Sequence, residues 1–171
     1  MNYFSFSLKF LFKESRRSKI MKFFLVFIFF AIIFDLSSAA NIEITCDKGL
    51  SSFLKNKVIS TCFVDKIKPG VLNRSDEISK CSVNQSGSNC SSVLGFTANR
   101  KLISYVPKKL SNFFPELWAI SIIECGLREL HRADLKNFTK LRELHLDYNK
   151  IEYLEENLFR NNLWLQVTRN Y

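Results

Sequence analysis

The chain has 171 residues, 47% of them hydrophobic and 24% charged, and carries 25 Lys and Arg against 16 Asp and Glu for a net charge of +9. Residues 1–40 hold six of the basic residues against Glu14 and Asp35. The remaining 19 basic and 14 acidic residues therefore leave only +5, interspersed as on a solvated surface, with a sulfated glycan or acidic protein as the lesser alternative. This balance supports no nucleic-acid role, and five glycines without a glycine-rich phosphate loop, G-x-S-x-G or H-E-x-x-H offer no catalytic signature.

Residues 23–34, Phe-Phe-Leu-Val-Phe-Ile-Phe-Phe-Ala-Ile-Ile-Phe, form a run of twelve apolar residues. Lys19 and Lys22 precede it, and Asp35, Ser37, Ser38, Ala39 and Ala40 follow, which are the three parts of a secretory signal. Cleavage would follow Ala39, with Ser37 and Ala39 as the small pair, or Ala40, with Ser38 and Ala40. The rival is an uncleaved membrane anchor, but a spanning helix takes about 20 apolar residues, and Lys22 and Asp35 bracket a shorter run. Met21 is a more ordinary start for such a leader, which makes residues 1–20 an upstream extension. Arg16-Arg17 lacks the rest of a twin-arginine pattern and reads as a basic flank.

Residues 41–92 form a cysteine-bearing flank. Alternating Ile42 and Ile44 predict a strand, and Val58, Ile59, Phe63 and Val64 add apolar surface. Cys46, Cys62, Cys81 and Cys90 read as two disulfides of an oxidising compartment. Three connectivities are open, and short loops favour Cys46–Cys62 with Cys81–Cys90. No C-x-x-C pair exists and neither His131 nor His145 is spaced to help, so no metal site is expected, nor any cofactor. Asn73, Asn84, Asn89 and Asn137 each begin an N-x-[ST] glycosylation tripeptide, and three of them fall in residues 71–92, whose Ser, Asn and Gly predict an exposed loop.

Residues 93–171 repeat. Leu141–Ile151 reads L-x-x-L-x-L-x-x-N-x-I, with the period-two alternation of Leu144, His145, Leu146 and Asp147 marking a half-buried strand. Asn149 offers two donors and an acceptor to backbone groups left over by the turn. Ile151 and Leu154 are expected to return beneath the strand, with Leu158 and Phe159 covering the far side. Stepping back 24 residues gives Leu117, Ile120, Ile122, Cys125, Leu127 and Leu130, with Cys125 a buried free thiol in the asparagine place. A second step back gives Val93, Phe96, Ala98, Ile103 and Val106, with Lys101 at the ninth place. A forward step of 21 gives Leu165, Val167 and Asn170, with Asn162 at the first place.

The pattern over residues 93–171 resembles the leucine-rich repeat family, in the extracellular typical-spacing form of secreted proteins and receptor ectodomains, including those of insects. Tyr105–Leu117 is similar to the segment that precedes the first good repeat in that group. The resemblance implies an α/β-type solenoid: a short repeat array with parallel strands on a concave face, preceded by the disulfide-bearing segment 41–92 as a cap. Nothing near Tyr171 resembles a C-terminal cap, so the chain is expected to be a fragment with repeats continuing.

On such strands the fourth and sixth places face inward and the third, fifth and seventh outward. The expected binding rows are Ala119, Ser121 and Ile123; Glu143, His145 and Asp147; and Trp164, Gln166 and Thr168, with Trp118, Arg142, Tyr148 and Arg169 beside them. Glu143, His145 and Asp147 resemble a catalytic cluster, but alternation on a repeat strand produces such rows anyway, and His131 reads as surface. The expected function is a secreted, non-catalytic module that binds a protein ligand in recognition, adhesion or immunity. The alternative is the start of a membrane receptor ectodomain, with membrane contact through a longer form or an uncleaved leader.

Overall fold

A computed structural model of the chain describes residues 39–53, 57–85 and 88–169. Residues 1–38 of the expected leader, which was placed at 1–40, and the ninth-place Asn170 lie outside them.

β1 (Asn41–Phe53) and β2 (Lys57–Lys68) form a long antiparallel hairpin with a register shift at Thr45/Cys46. The alternation seen at Ile42 and Ile44 continues to Cys46, and all three are buried. β3 (Glu77–Val83) runs parallel to β1 on the outer edge, so the stretch 71–92 is not all loop. The four acceptor asparagines are nonetheless exposed. Disulfides join Cys46 to Cys62 and Cys81 to Cys90, the first across the hairpin and the second from β3 to the 3-10 turn Cys90–Ser92.

β2 hands over to a parallel series: β4 (Gly95–Asn99), β5 (Ala119–Ile123), β7 (Glu143–His145) and β9 (Val167–Arg169). The seven-stranded sheet has the order β3-β1-β2-β4-β5-β7-β9. Gly95 pairs with Ala119, Ala119 with Glu143 and Glu143 with Val167, a step of 24 residues each time. A second, two-stranded sheet of β6 (Glu129–Leu130) and β8 (Tyr153–Leu154) keeps the same step, with Glu129 on Tyr153.

The period stacks like on like. Phe96, Ile120 and Leu144 form one buried column, and Ala98, Ile122 and Leu146 another. Backbone bonds cross the turns at matching places, as in Arg100 N–H to Ile123 O and Glu124 N–H to Asp147 O. Arg100, Glu124 and Tyr148, again 24 apart, all adopt positive φ, so the turns after β4, β5 and β7 repeat the same left-handed position although none of the three is glycine. Gly95 is a close approach: a Cβ there would meet Thr61 Oγ1 at 2.5 Å, so β2 and β4 pack tightly because that side chain is missing.

The α/β-type solenoid expected from the sequence is overturned. Strands predominate among the described residues, and the sheet is mixed, with an antiparallel hairpin inside it. Helix amounts to two four-residue segments, α1 (Leu110–Phe113) and α2 (Arg132–Leu135), and the 3-10 turn. The cause is local. Pro107 and Pro115 bracket α1, where each removes a donor and disfavours helix in the residue before it. α2 is capped by His131 and Asp134 but far shorter than the ~12–15 residues an isolated helix needs. Apolar periodicity reported the period correctly; it said nothing about whether the returning limb would be helical.

The last step is also corrected. The pairing of Val167 with Glu143 and Thr168 with Leu144 sets a step of 24, not 21. Val167 and Arg169 thus stand in register with Glu143 and His145, and Thr168 beside an inward-facing position. Leu154, half exposed, does not return beneath the strand, and Phe159 is exposed, whereas Leu158 is buried.

Candidate functional site

Asn149 shows how the turns are held. Its Oδ1 accepts N–H bonds from Cys125 and Leu127 at 3.1 Å each, and its Nδ2 donates to Ile122 O at 2.6 Å and Leu146 O at 2.8 Å. Cys125 fills the matching place one step earlier, where its buried free thiol donates to Ile123 O at 3.1 Å. Burial pushes that thiol up, and nearby backbone donors offset part of the effect. It is a structural group.

These turns fix the sheet's second face, opposite the apolar columns. It carries Ala119, Ser121, Glu143 and His145, but as a closed surface. Phe53 and Ile59 from the far end of the hairpin pack on Ala119, with Leu94 and Trp118 against them. The Phe53 ring also stands 5.9 Å from the His145 ring. Ser121 and Glu143 are each only 3% exposed and Asp147 9%, so the two central rows expected to be open are largely covered. His145, expected on the surface, keeps 18% of its side chain exposed, with Nε2 3.1 Å from Glu143 Oε2.

What stays open lies beside this face. Trp118 is sandwiched by cations, with Lys57 Nζ 4.1 Å and the Arg142 guanidinium 4.6 Å from the ring centroid. Arg142 in turn reaches 6.0 Å to Trp164, whose side is 61% exposed. Lys57, Trp118, Arg142 and Trp164 thus form a column of alternating cations and rings, each contact of a kind worth about 0.5–1 kcal/mol where exposed. Tyr148 is 69% exposed and Gln166 is exposed, so both are available. Of the expected residues, the structure brings Trp118, Arg142 and Trp164 together and leaves Tyr148 at a strand end. Lys57 and Phe53 were not foreseen, and nothing local to them signals a partner: Phe53 and His145 meet although they stand 92 positions apart in the chain.

A second polar cluster joins the β6–β8 limb. His131, expected on the surface, is only partly exposed and lies between two carboxylates, Nε2 3.3 Å from Glu129 and Nδ1 3.3 Å from Glu155. Arg74 bonds Glu129 at 3.0 Å and approaches Asp134 at 3.7 Å. Burial raises the Asp134 carboxyl, against the His131 backbone donor and the charges of Arg74 and His131. Burial also pushes Glu129 up, but bonds from His131 and Arg74 outweigh it and leave that carboxyl lowered. Every acid here is tied to a neighbouring cation or N–H, which is the composition of a structural network.

The sulfurs of Cys46, Cys81 and Cys90 lie within 4.8 Å of one another. Each is in a disulfide, so this cluster has no thiolate to offer a metal ion. Disulfides are the chemistry of an oxidising setting, and among the described residues no helix is long and apolar enough to cross a membrane. No family model and no curated protein matches the chain.

Proposed function

We propose that the chain is a secreted, non-catalytic module related to leucine-rich repeat proteins, which takes a protein ligand along the column of Lys57, Trp118, Arg142 and Trp164. The observation that carries this reading is the column itself, ending in the exposed Trp164. Tryptophan and arginine are the residues most often found at the energetic centres of protein interfaces, and here the cations hold the rings in place before any partner arrives. Support for the kinship comes from the 24-residue register and from the way the Asn149 amide closes its turn. Support for secretion comes from the two disulfides and the leader pattern of residues 19–40.

The test uses the secreted full-length product, coupled to a surface and exposed to extracellular fluid, with recovered proteins quantified against matched variants. Trp164→Ala is expected to release the specific partner by about tenfold, corresponding to roughly 1.4 kcal/mol, without changing secretion. Lys136→Ala, exposed and making none of the column's ring–cation contacts, should leave recovery unchanged. Equal recovery by wild type and Trp164→Ala would sink the reading. So would a purified product that turns over a substrate.

A further inference from the structure

Asp76 is a buried carboxylate held chiefly by backbone donors, with the Asn73 side chain adding to them. Its Oδ2 accepts from the N–H groups of Leu72 and Asn73 at 2.9 Å each, which closes the turn leading into β3. Its Oδ1 accepts from the N–H of Ala40 at 2.9 Å. The residue is 1% exposed, and no side-chain cation pairs with it among the described residues. Burial works against the charge, but the N–H groups of Ala40, Asn73 and Leu72 together keep the carboxyl below its ordinary range, so it is ionised at neutral pH. A buried anion held by neutral donors alone is unusual, because buried charges are as a rule also paired with an opposite charge.

Of the three backbone nitrogens that bond Asp76, that of Ala40 can become such a charge. Ala40 follows the Ser37-x-Ala39 pattern that ends the leader. Its carbonyl is fixed as well, accepting from Glu77 N–H at 3.0 Å, and its side chain packs on the core, whereas Ala39 is exposed. We propose that the chain is processed between Ala39 and Ala40, and that the α-ammonium so created is the counter-ion of the Asp76 carboxylate. Hydrolysis by a leader peptidase consumes one water. The C–N bond breaks, oxygen goes to the Ala39 carbonyl carbon to give a carboxylate, and the Ala40 nitrogen leaves with two added protons as an ammonium. The new charge arises on the atom already 2.9 Å from Asp76 Oδ1, so one neutral donor becomes a charge-assisted one without rearrangement. Cleavage after Ala40 would instead remove this donor and the carbonyl that holds Glu77. The two cuts equally allowed by sequence are therefore unequal in their products.

The inference rests on the secretory reading of the leader, and the experiment separates the two. The full chain is expressed in secreting cells, and the product's intact mass and N-terminal residue are determined. Secreted protein beginning at Ala40 is the expected result. Secreted protein beginning at Asn41 or elsewhere overturns the inference and leaves secretion standing; cell-retained protein with the leader intact overturns both. The pairing is then read by competitive acylation of the α-amine across pH, followed by mass spectrometry of the N-terminal peptide. The Ala40 amine is expected to titrate above the ordinary α-amine range. At neutral pH it should react roughly tenfold more slowly than the same amine in Asp76→Asn, the equivalent of a shift of about one pH unit. Equal reactivity in the two proteins overturns the pairing. Should Asp76→Asn fail to fold, a wild-type chain made to begin at Ala39 serves instead. Its α-amine is expected in the ordinary range and its thermal midpoint below that of the Ala40 form, and coincident values for the two forms refute the proposal.

Discussion

The hairpin region, β1 to β3, and the parallel ladder, β4 to β9, belong to one sheet but are held together by different means. In the ladder each contact recurs one period away: Cys125 to Asn149, Arg100 to Glu124 and Lys140 to Glu116 all span 24 residues. In the hairpin nothing repeats. β1 pairs antiparallel to β2 on one side and parallel to β3 on the other, with register shifts in both ladders, and this is where both disulfides lie. Where neighbours are alike, stacking alone sets the register. Where they differ, covalent closure narrows the unfolded ensemble and does the same work.

The sharpest way to break the ladder is inside a column. Leu144→Ala, at a position 1% exposed, is expected to cost about 2–5 kcal/mol, read as a lower denaturant midpoint with the disulfides intact. Removing the hairpin staple with paired Cys46→Ser and Cys62→Ser should cost about 2–4 kcal/mol. If periodicity and cross-linking are independent supports, the two losses should add in the combined variant. A much larger combined loss would show that the hairpin holds the ladder's register. The join comes next: Gly95→Ala drives a methyl into Thr61 between β2 and β4 and should cost about 1–3 kcal/mol.

Acid and base should separate the regions by sign. Asp76, beside the hairpin, has its carboxyl lowered in the fold from the ordinary 3.8. The unfolded chain therefore takes up that proton first on acidification. Its contribution is fully present above about the ordinary value and is lost as pH falls through the folded one. Asp134, in the ladder's return, is raised from 3.8, so its contribution is present below the ordinary value and is lost as pH climbs through the folded one. Asp76→Asn should flatten the acid loss of stability, and Asp134→Asn the loss above pH 4, in denaturant titrations run from about pH 2 to pH 7. Smallest of all, Gln166→Ala, on an exposed side chain of the ladder, should stay within about 0.5 kcal/mol.

Much of the ladder was legible because its determinants are local and recur. Asn149 and Cys125 stand at the expected places and make backbone bonds of the expected kind. The final step was misjudged because Leu165 and Val167 fit a step of 21 in apolar character, while pairing is decided by the 24-residue backbone register. The helical content was overestimated because the spacing of Leu127, Leu130 and Leu135 specifies burial without specifying the conformation between them. Least legible was the candidate site. The outward rows were placed by alternation, and alternation has no knowledge of the hairpin. That Phe53 and Ile59 would lie over Ala119, and Lys57 over Trp118, depends on contacts between distant parts of the chain. Only the edge residues Trp118, Arg142 and Trp164 emerged where the sequence put them in each other's company.

The thiol of Cys125 turns the ladder into its own gauge of motion. Its sulfur is buried between Ala98 and Ile123, and burial raises it away from the reactive thiolate. An alkylating reagent can therefore reach it while the ladder has opened around this turn. Labelling then proceeds at the frequency of those openings, or at their equilibrium population when reclosing is fast. The other four cysteines are sealed in disulfides and stay silent. The unmodified chain thus carries a single chemical clock, placed in the part of the fold that has no covalent staple.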